Sequence, residues 1–315
     1  MVLHMKRFAF LIACSIVFTF VSSHAQVITS IGEQNLKIPK TDKIENKPQK
    51  PANDNLPQID TTSVYFALLD SAQLYISKKS WSKAERFIHQ AIVSEPSNAN
   101  NSLLLSNLAT IQRKQGRLNE ALKNYNMALD MTPNAVTLLM NRASLLVQLD
   151  SLTAASNDYQ RVIQLDPLQE EARYNHGMIA LEQHDINTAK ADFEDLLRYN
   201  PNSLLANEGL AMLNKASGNY DKAIQYYSKV IKTAPTLSLF CNRAECYMMT
   251  RHLNEAMTDI NNALSIDPSD GYIYLLRARL NKLRYENNAA KRDLQLAIEH
   301  GIDPSIAKDF VQLEK

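Results

Sequence analysis

Glycine is scarce, with seven in 315 residues, and no two of them frame a GxGxxG, a P-loop or a GxSxG elbow. Gly-rich phosphate cradles and the strained nucleophile turn of hydrolases are therefore excluded. Cysteine is scarcer still, three in all with no CxxC, so neither a disulfide framework nor a Cys-based metal site is written into the chain. Charge of one sign is also missing: the formal net charge is +1. It becomes −1 when Lys6 and Arg7 leave with the N-terminal segment described below, so no nucleic-acid or other polyanionic partner is implied. The histidines form neither HExxH nor a Cys/His cluster of metal spacing. Adjacent acids such as Glu170 and Glu171, or Glu194 and Asp195, point in different directions on a helix and read as solvated surface. These absences leave no catalytic residue, no metal site and no cofactor to expect, and a non-enzymatic protein is predicted. With glycine scarce and Ala, Leu, Asn and Lys plentiful, the body reads as all-α.

Only one long apolar run occurs, FAFLIACSIVFTFV at 8–21, preceded by Lys6 and Arg7 and followed by SSHAQ. Ser23 and Ala25 stand at the small-residue positions of a signal-peptidase site, so residues 1–25 read as a secretory signal peptide cut after Ala25. The run falls short of the ~20 residues a spanning helix needs, and no transmembrane segment is expected in the mature chain. LIAC (11–14) offers Cys14 as a lipid anchor, but the apolar run continues past it and only six apolar residues precede it, which favours a lipid-free exported protein. The predicted location is the periplasm or cell envelope of a Gram-negative bacterium, or the medium beyond it. Residues 26–60 carry Pro39, Pro48, Pro51 and Pro57 without apolar periodicity and read as a flexible polar linker. Cys241 and Cys246, the cysteines of the mature chain, project about 140° apart on one helix and read as small buried apolar residues.

From residue 65 the prolines are periodic: Pro96, Pro133, Pro167, Pro201, Pro235 and Pro268 lie 37, 34, 34, 34 and 33 residues apart. Such a period signals stacked supersecondary units. Seven repeats result, at 65–98, 102–135, 136–169, 170–203, 204–236, 237–270 and 271–304, within an array over 61–304. The eighth place is Ala72, Ala109, Ala143, Gly177, Ala211, Ala244 and Ala278, and the twentieth is alanine in all seven repeats. One small residue per helix lets two backbones approach closely. The twenty-fourth place (Ile88, Tyr125, Tyr159, Phe193, Tyr227, Ile260, Leu294) fills the space one turn beyond the twentieth. The eighteenth place (Ser82, Asn119, Thr153, Asn187, Asp221, Asn254, Asn288) is predicted to N-cap the second helix. Proline then stops that helix.

The 34-residue period with these columns resembles the tetratricopeptide repeat family over about 240 residues. The resemblance implies a right-handed superhelical solenoid of about seven helix-turn-helix units. The fourth place departs from the family pattern at Arg173 and Asn207, and Ile302 stands where the last proline belongs. Asp303 and Pro304 can open a C-terminal capping helix over 303–315, with Ile306, Phe310 and Leu313 on one face.

The resemblance further implies that places 2, 5, 6, 9, 12 and 13 of each first helix line a concave groove. Asn107, Asn141, Asn175 and Asn242 all hold the sixth place, and an amide offers both donor and acceptor to an extended peptide. This is similar to the asparagine ladder of some tetratricopeptide arrays. Ser106, Thr110, Arg113, Tyr174 and Met178 join them as candidate peptide-binding residues. Methionines 140, 212, 248 and 249 and charges at Lys215 and Glu245 make the rest of the predicted lining mixed. The carboxylate clamp of chaperone-binding members is excluded, because no fifth place holds lysine. The implied function is a scaffold binding a peptide or partner protein in the groove; the alternative is a structural or assembly subunit of an envelope complex acting through the convex face or the cap.

Overall fold

The computed structural model describes residues 61–307, with side chains from residue 64 onward. The signal peptide and linker expected over 1–60 lie outside the described residues, as do Phe310 and Leu313 of the expected cap. Every regular element among the described residues is α-helical: fourteen helices lie wholly within them, and residues 304–307 begin another. The chain divides inside one of them, between Ala172 and Arg173, into two compact units.

The first unit holds α1 (Thr61–Ser77), α2 (Trp81–Ser94), α3 (Asn101–Lys114), α4 (Leu118–Met131), α5 (Val136–Gln148) and α6 (Leu152–Leu165), and ends in the first residues of α7 (Glu170–Glu182). The second holds the rest of α7, then α8 (Ile186–Tyr199), α9 (Leu204–Ala216), α10 (Tyr220–Thr233), α11 (Leu237–Met249), α12 (Leu253–Ile266), α13 (Gly271–Leu283) and α14 (Asn287–Glu299). Odd-numbered helices are the first helices of the seven repeats and even-numbered ones the second.

The turn inside each repeat is made by backbone. Its fifteenth place is left-handed at Lys79, Gly116, Asp150, His184, Gly218, Arg251 and Tyr285, with φ between 53° and 76°. In repeat 2 the Gly116 N–H donates to the Arg113 carbonyl at 3.0 Å and the Arg117 N–H to the Gln112 carbonyl at 2.9 Å. The same two bonds recur in all seven turns, as Schellman closures that satisfy the last carbonyls of the first helix. This corrects the predicted capping. The second helices begin one residue before the eighteenth place, and their N-caps are Ser80, Arg117, Ser151, Asp185, Asn219, His252 and Glu286. Among these seven only Asp185 caps with its side chain, accepting from the Thr188 N–H at 3.1 Å. The left-handed residue already aims the chain into the next helix, so Asn119 and its equivalents fall on the second helical residue instead.

The predicted packing columns are the core. Alanines 72, 109, 143, 211, 244 and 278 at the eighth place and 84, 121, 155, 189, 223 and 256 at the twentieth are fully buried, and so are Ile88, Tyr159, Phe193, Tyr227 and Ile260 at the twenty-fourth. Each of those large side chains contributes about 1.5–3 kcal/mol by burial. Repeat 4 carries the largest adjustment. A Cβ on Gly177 would lie 2.7 Å from Phe193 Cε1, and one on Gly209 would lie 2.4 Å from Phe193 Cδ1. The ring of Phe193 thus occupies the space that side chains on α7 and α9 would otherwise take.

Both departures at the fourth place are accommodated. Arg173 is buried, donates to Asp195 Oδ2 at 3.1 Å and lies over the Tyr199 ring at 5.6 Å. Asn207 is buried and bonds the Ser203 carbonyl at 2.7 Å. At the C-terminal end Ile302 and Ala307 join the core of repeats 6 and 7, with Ile306 packed beside them. The Asp303 carboxylate accepts from the Ser305 N–H at 2.8 Å, so Asp303 caps the turn it was predicted to open.

Candidate functional site

In the first unit, the first-helix places named by the family resemblance meet one another. Arg113, at the twelfth place of repeat 2, reaches the ninth and thirteenth places of repeat 3, donating to Ser144 Oγ at 2.9 Å and Gln148 Oε1 at 2.8 Å. Its guanidinium bridges two repeats. Thr110 accepts from the Tyr125 hydroxyl at 2.9 Å and donates to the Ser106 carbonyl at 3.0 Å. Ser106, Asn107 and Asn141 are buried, the asparagines at 2% and 7% exposure.

In the second unit, Asn175 is buried at 1% exposure, Tyr174 is buried, and Met178 and Asn242 are half-buried. Tyr174 packs at 6.0 Å between ring centres against Phe193, and burial raises its hydroxyl well above the usual value. Asn242 belongs to a polar cluster. Lys215 Nζ, at the twelfth place of repeat 5, donates to Asn242 Oδ1 at 2.7 Å and pairs with Glu245 Oε2 at 2.6 Å. Tyr272, at the second place of repeat 7, donates to the other oxygen of Glu245. Burial alone would raise the Glu245 carboxyl; Lys215 and the Tyr272 hydroxyl instead hold it below the ordinary carboxylate range. Arg113 and Lys215 share the twelfth place, so a cation there ties consecutive first helices in both units.

Two features escaped the reading of the sequence. Arginine at the seventh place pairs with aspartate at the twenty-third, sixteen residues on. Arg142 binds Asp158 at 2.8 and 2.7 Å through Nε and Nη2, and Arg243 binds Asp259 at the same two distances. Arg277 binds Asp293 Oδ1 at 3.0 and 2.6 Å, while in repeat 4 His176 Nδ1 meets Asp192 at 2.6 Å. Both columns stand in the sequence and would have been found by tabulating the seventh and twenty-third places together. The second feature is that neighbouring acids are not all solvated: Asp195 pairs with Arg173 and with Arg198 at 2.8 Å, and Glu171 is buried.

Cys241 and Cys246 are free and buried, and burial pushes both thiols up, Cys246 to about 12. They are inert apolar residues, as expected. Among the described residues no three His, Cys, Asp or Glu side chains are grouped to hold a metal ion, and no helix is long and apolar enough to cross a membrane.

The tetratricopeptide repeat profiles match residues 106–170, 174–238 and 237–270. The crystal structure of a tetratricopeptide repeat protein from Parabacteroides merdae is 32% identical, covers 80% of this chain and 98% of its own, and superposes with a TM-score of 0.68. The chain belongs to the tetratricopeptide repeat family. Proteins of these repeats generally serve as interaction scaffolds rather than enzymes. A DnaJ homolog subfamily C member 7 homolog of Dictyostelium discoideum is 25% identical over 262 residues, 74% of this chain. The chain spans 48% of that relative, about half its length. PilW, a type IV pilus biogenesis factor, shares the fold at 18% identity, with 65% of this chain and 94% of its own covered and a TM-score of 0.54.

Proposed function

We propose that this tetratricopeptide protein is an exported, non-enzymatic scaffold that takes a peptide or partner protein along its first helices. The observation that carries the reading is the division of labour within each repeat. Second helices spend their twentieth and twenty-fourth places on closing the core. First helices hold asparagine at the sixth place in four repeats, and cations at their twelfth place reach from one repeat to the next, as Arg113 does to Ser144 and Lys215 to Asn242. The sixth-place amides are largely enclosed, Asn242 alone being half-buried, and a peptide backbone that opens this face would meet groups that both donate and accept. Half-buried Met178 and Met212 add adaptable apolar contact.

Export rests on Lys6, Arg7, the apolar run at 8–21 and the small residues before Gln26. Intact-mass measurement of the protein recovered from cells tests it: a chain beginning at Gln26 is expected, and a full-length or lipid-modified chain would refute it. The binding face is tested by affinity capture and mass spectrometry. Wild type is compared with a variant carrying Asn107→Ala, Asn141→Ala and Asn175→Ala and with one cut equally on second-helix surface residues, all three checked by thermal melting. Loss of captured partners only in the first-helix variant is expected; equal loss in both, or none, rules the face out.

A further inference from the structure

A tyrosine at the twenty-fourth place ends beside the ninth place of its own first helix, as the bond between Tyr125 and Thr110 demonstrates. Tyr227 stands in the same column, but Met212 occupies its ninth place. The Tyr227 hydroxyl is consequently buried with no hydrogen-bond partner. Folded proteins rarely leave such a group unsatisfied, because it forfeits its bonds to water. Burial, with Cys246, Glu245, Glu208 and Tyr174 within electrostatic reach, keeps the proton on this hydroxyl.

Glu208 lies four residues before Met212 on α9 and so on the same helix face. It is half-buried, and among the described residues it has neither ion pair nor hydrogen bond. Desolvation raises its carboxyl above the ordinary value, so the site holds an acid at a cost to itself. The other acid nearby, Glu245, is already neutralised by Lys215 at 2.6 Å.

We propose that Glu208, with the Tyr227 hydroxyl behind it, is a subsite for one basic side chain of a peptide lying along α7, α9 and α11. A carboxylate and a hydroxyl oxygen are both acceptors, whereas lysine and arginine heads are donors only and bring the charge that Glu208 lacks. An anionic group would meet Glu208 and Glu245, and Lys215 beside them is already paired with Glu245. The inference rests on the reading that a peptide binds this face and adds what the face reads.

Selection of a randomised octapeptide display library on the immobilised full chain tests it, with Glu208→Gln and Tyr227→Phe in parallel and folding checked by circular dichroism. Wild type is expected to enrich lysine or arginine at one register of the retained peptides. Glu208→Gln should lower that enrichment by about tenfold while still retaining peptides, and Tyr227→Phe should lower it by less. Retained peptides with no basic register, or the same basic register on Glu208→Gln, overturn the subsite and leave peptide binding intact. A wild type that retains nothing above bare resin overturns both.

Discussion

Gly209→Ala is the substitution for which two physical effects pull hardest in opposite directions. Gly209 sits in the interior of α9, where helix propensity alone favours alanine by about 0.8–1 kcal/mol. Against that, the new Cβ would lie 2.4 Å from Phe193 Cδ1, 2.5 Å from Cε1 and 2.8 Å from Cγ. Phe193 is fully buried, its Cε1 is also 2.7 Å from the Cβ position of Gly177, and the Tyr174 ring stands 6.0 Å away. With α7 and Tyr174 on its other sides the ring has no free direction, which puts overpacking in the upper part of its usual range of about 1–3 kcal/mol. The net is a destabilisation of about 1–2 kcal/mol, or a drop in melting temperature of about 2–8 °C by circular dichroism. In a Phe193→Leu background the same change should become neutral or stabilising, because the obstructing ring is gone. A Gly209→Ala protein that melts at or above wild type, or equal costs in both backgrounds, would refute the reasoning.

Asp259→Ala leaves the half-buried Arg243 without its carboxylate and should cost toward the low end of about 3–5 kcal/mol in urea unfolding, whereas Arg243→Leu with Asp259→Leu should cost much less. Tyr285 is 90% exposed at φ 63°, so Tyr285→Gly relieves backbone strain with nothing to lose in packing and should raise stability by up to about 1 kcal/mol in the same assay. The two first-helix acids have opposite pH signatures. Glu245 has a depressed folded value, so its contribution is present above the ordinary carboxylate range and is lost as pH falls through the folded value; Lys215→Met should weaken that dependence, since burial then opposes only the Tyr272 hydroxyl and Arg279. Glu208 has a raised value, so protonation favours the folded state; Glu208→Gln should raise stability at neutral pH and show no gain in acid.

Much of this architecture was legible because it is repeated. A column such as alanine at the twentieth place carries seven copies of one packing requirement, and the structure buries them as that requirement demands. Capping was misread for a local reason. Asn119 has the chemistry of an N-cap, but Gly116 turns the chain through backbone bonds to Arg113 and Gln112, leaving no cap for a side chain to make. The Arg–Asp pairs escaped because they link two columns in different helices and fail in repeats 1, 2 and 5, where Ser71, Leu108 and Leu210 hold the seventh place. The candidate face was legible by place but not by state. Spacing puts Arg113 and Thr110 on a first helix, yet only coordinates reveal that Arg113 bridges to repeat 3, that Tyr125 holds Thr110, and that Asn107, Asn141 and Asn175 are buried. An orphaned hydroxyl such as that of Tyr227 depends on what its neighbour lacks, and single columns do not display that.

The central claim is that first helices bind and second helices pack, and methionines on both kinds of helix allow it to be tested directly. Met178 and Met212 lie half-buried on α7 and α9, while Met127 and Met131 are exposed on α4 at 43% and 42%. A library-selected peptide carrying a benzophenone residue can be photocrosslinked to the full chain and the adducts mapped by mass spectrometry. Adducts at Met178 or Met212 are predicted; adducts confined to Met127 and Met131 would contradict the account.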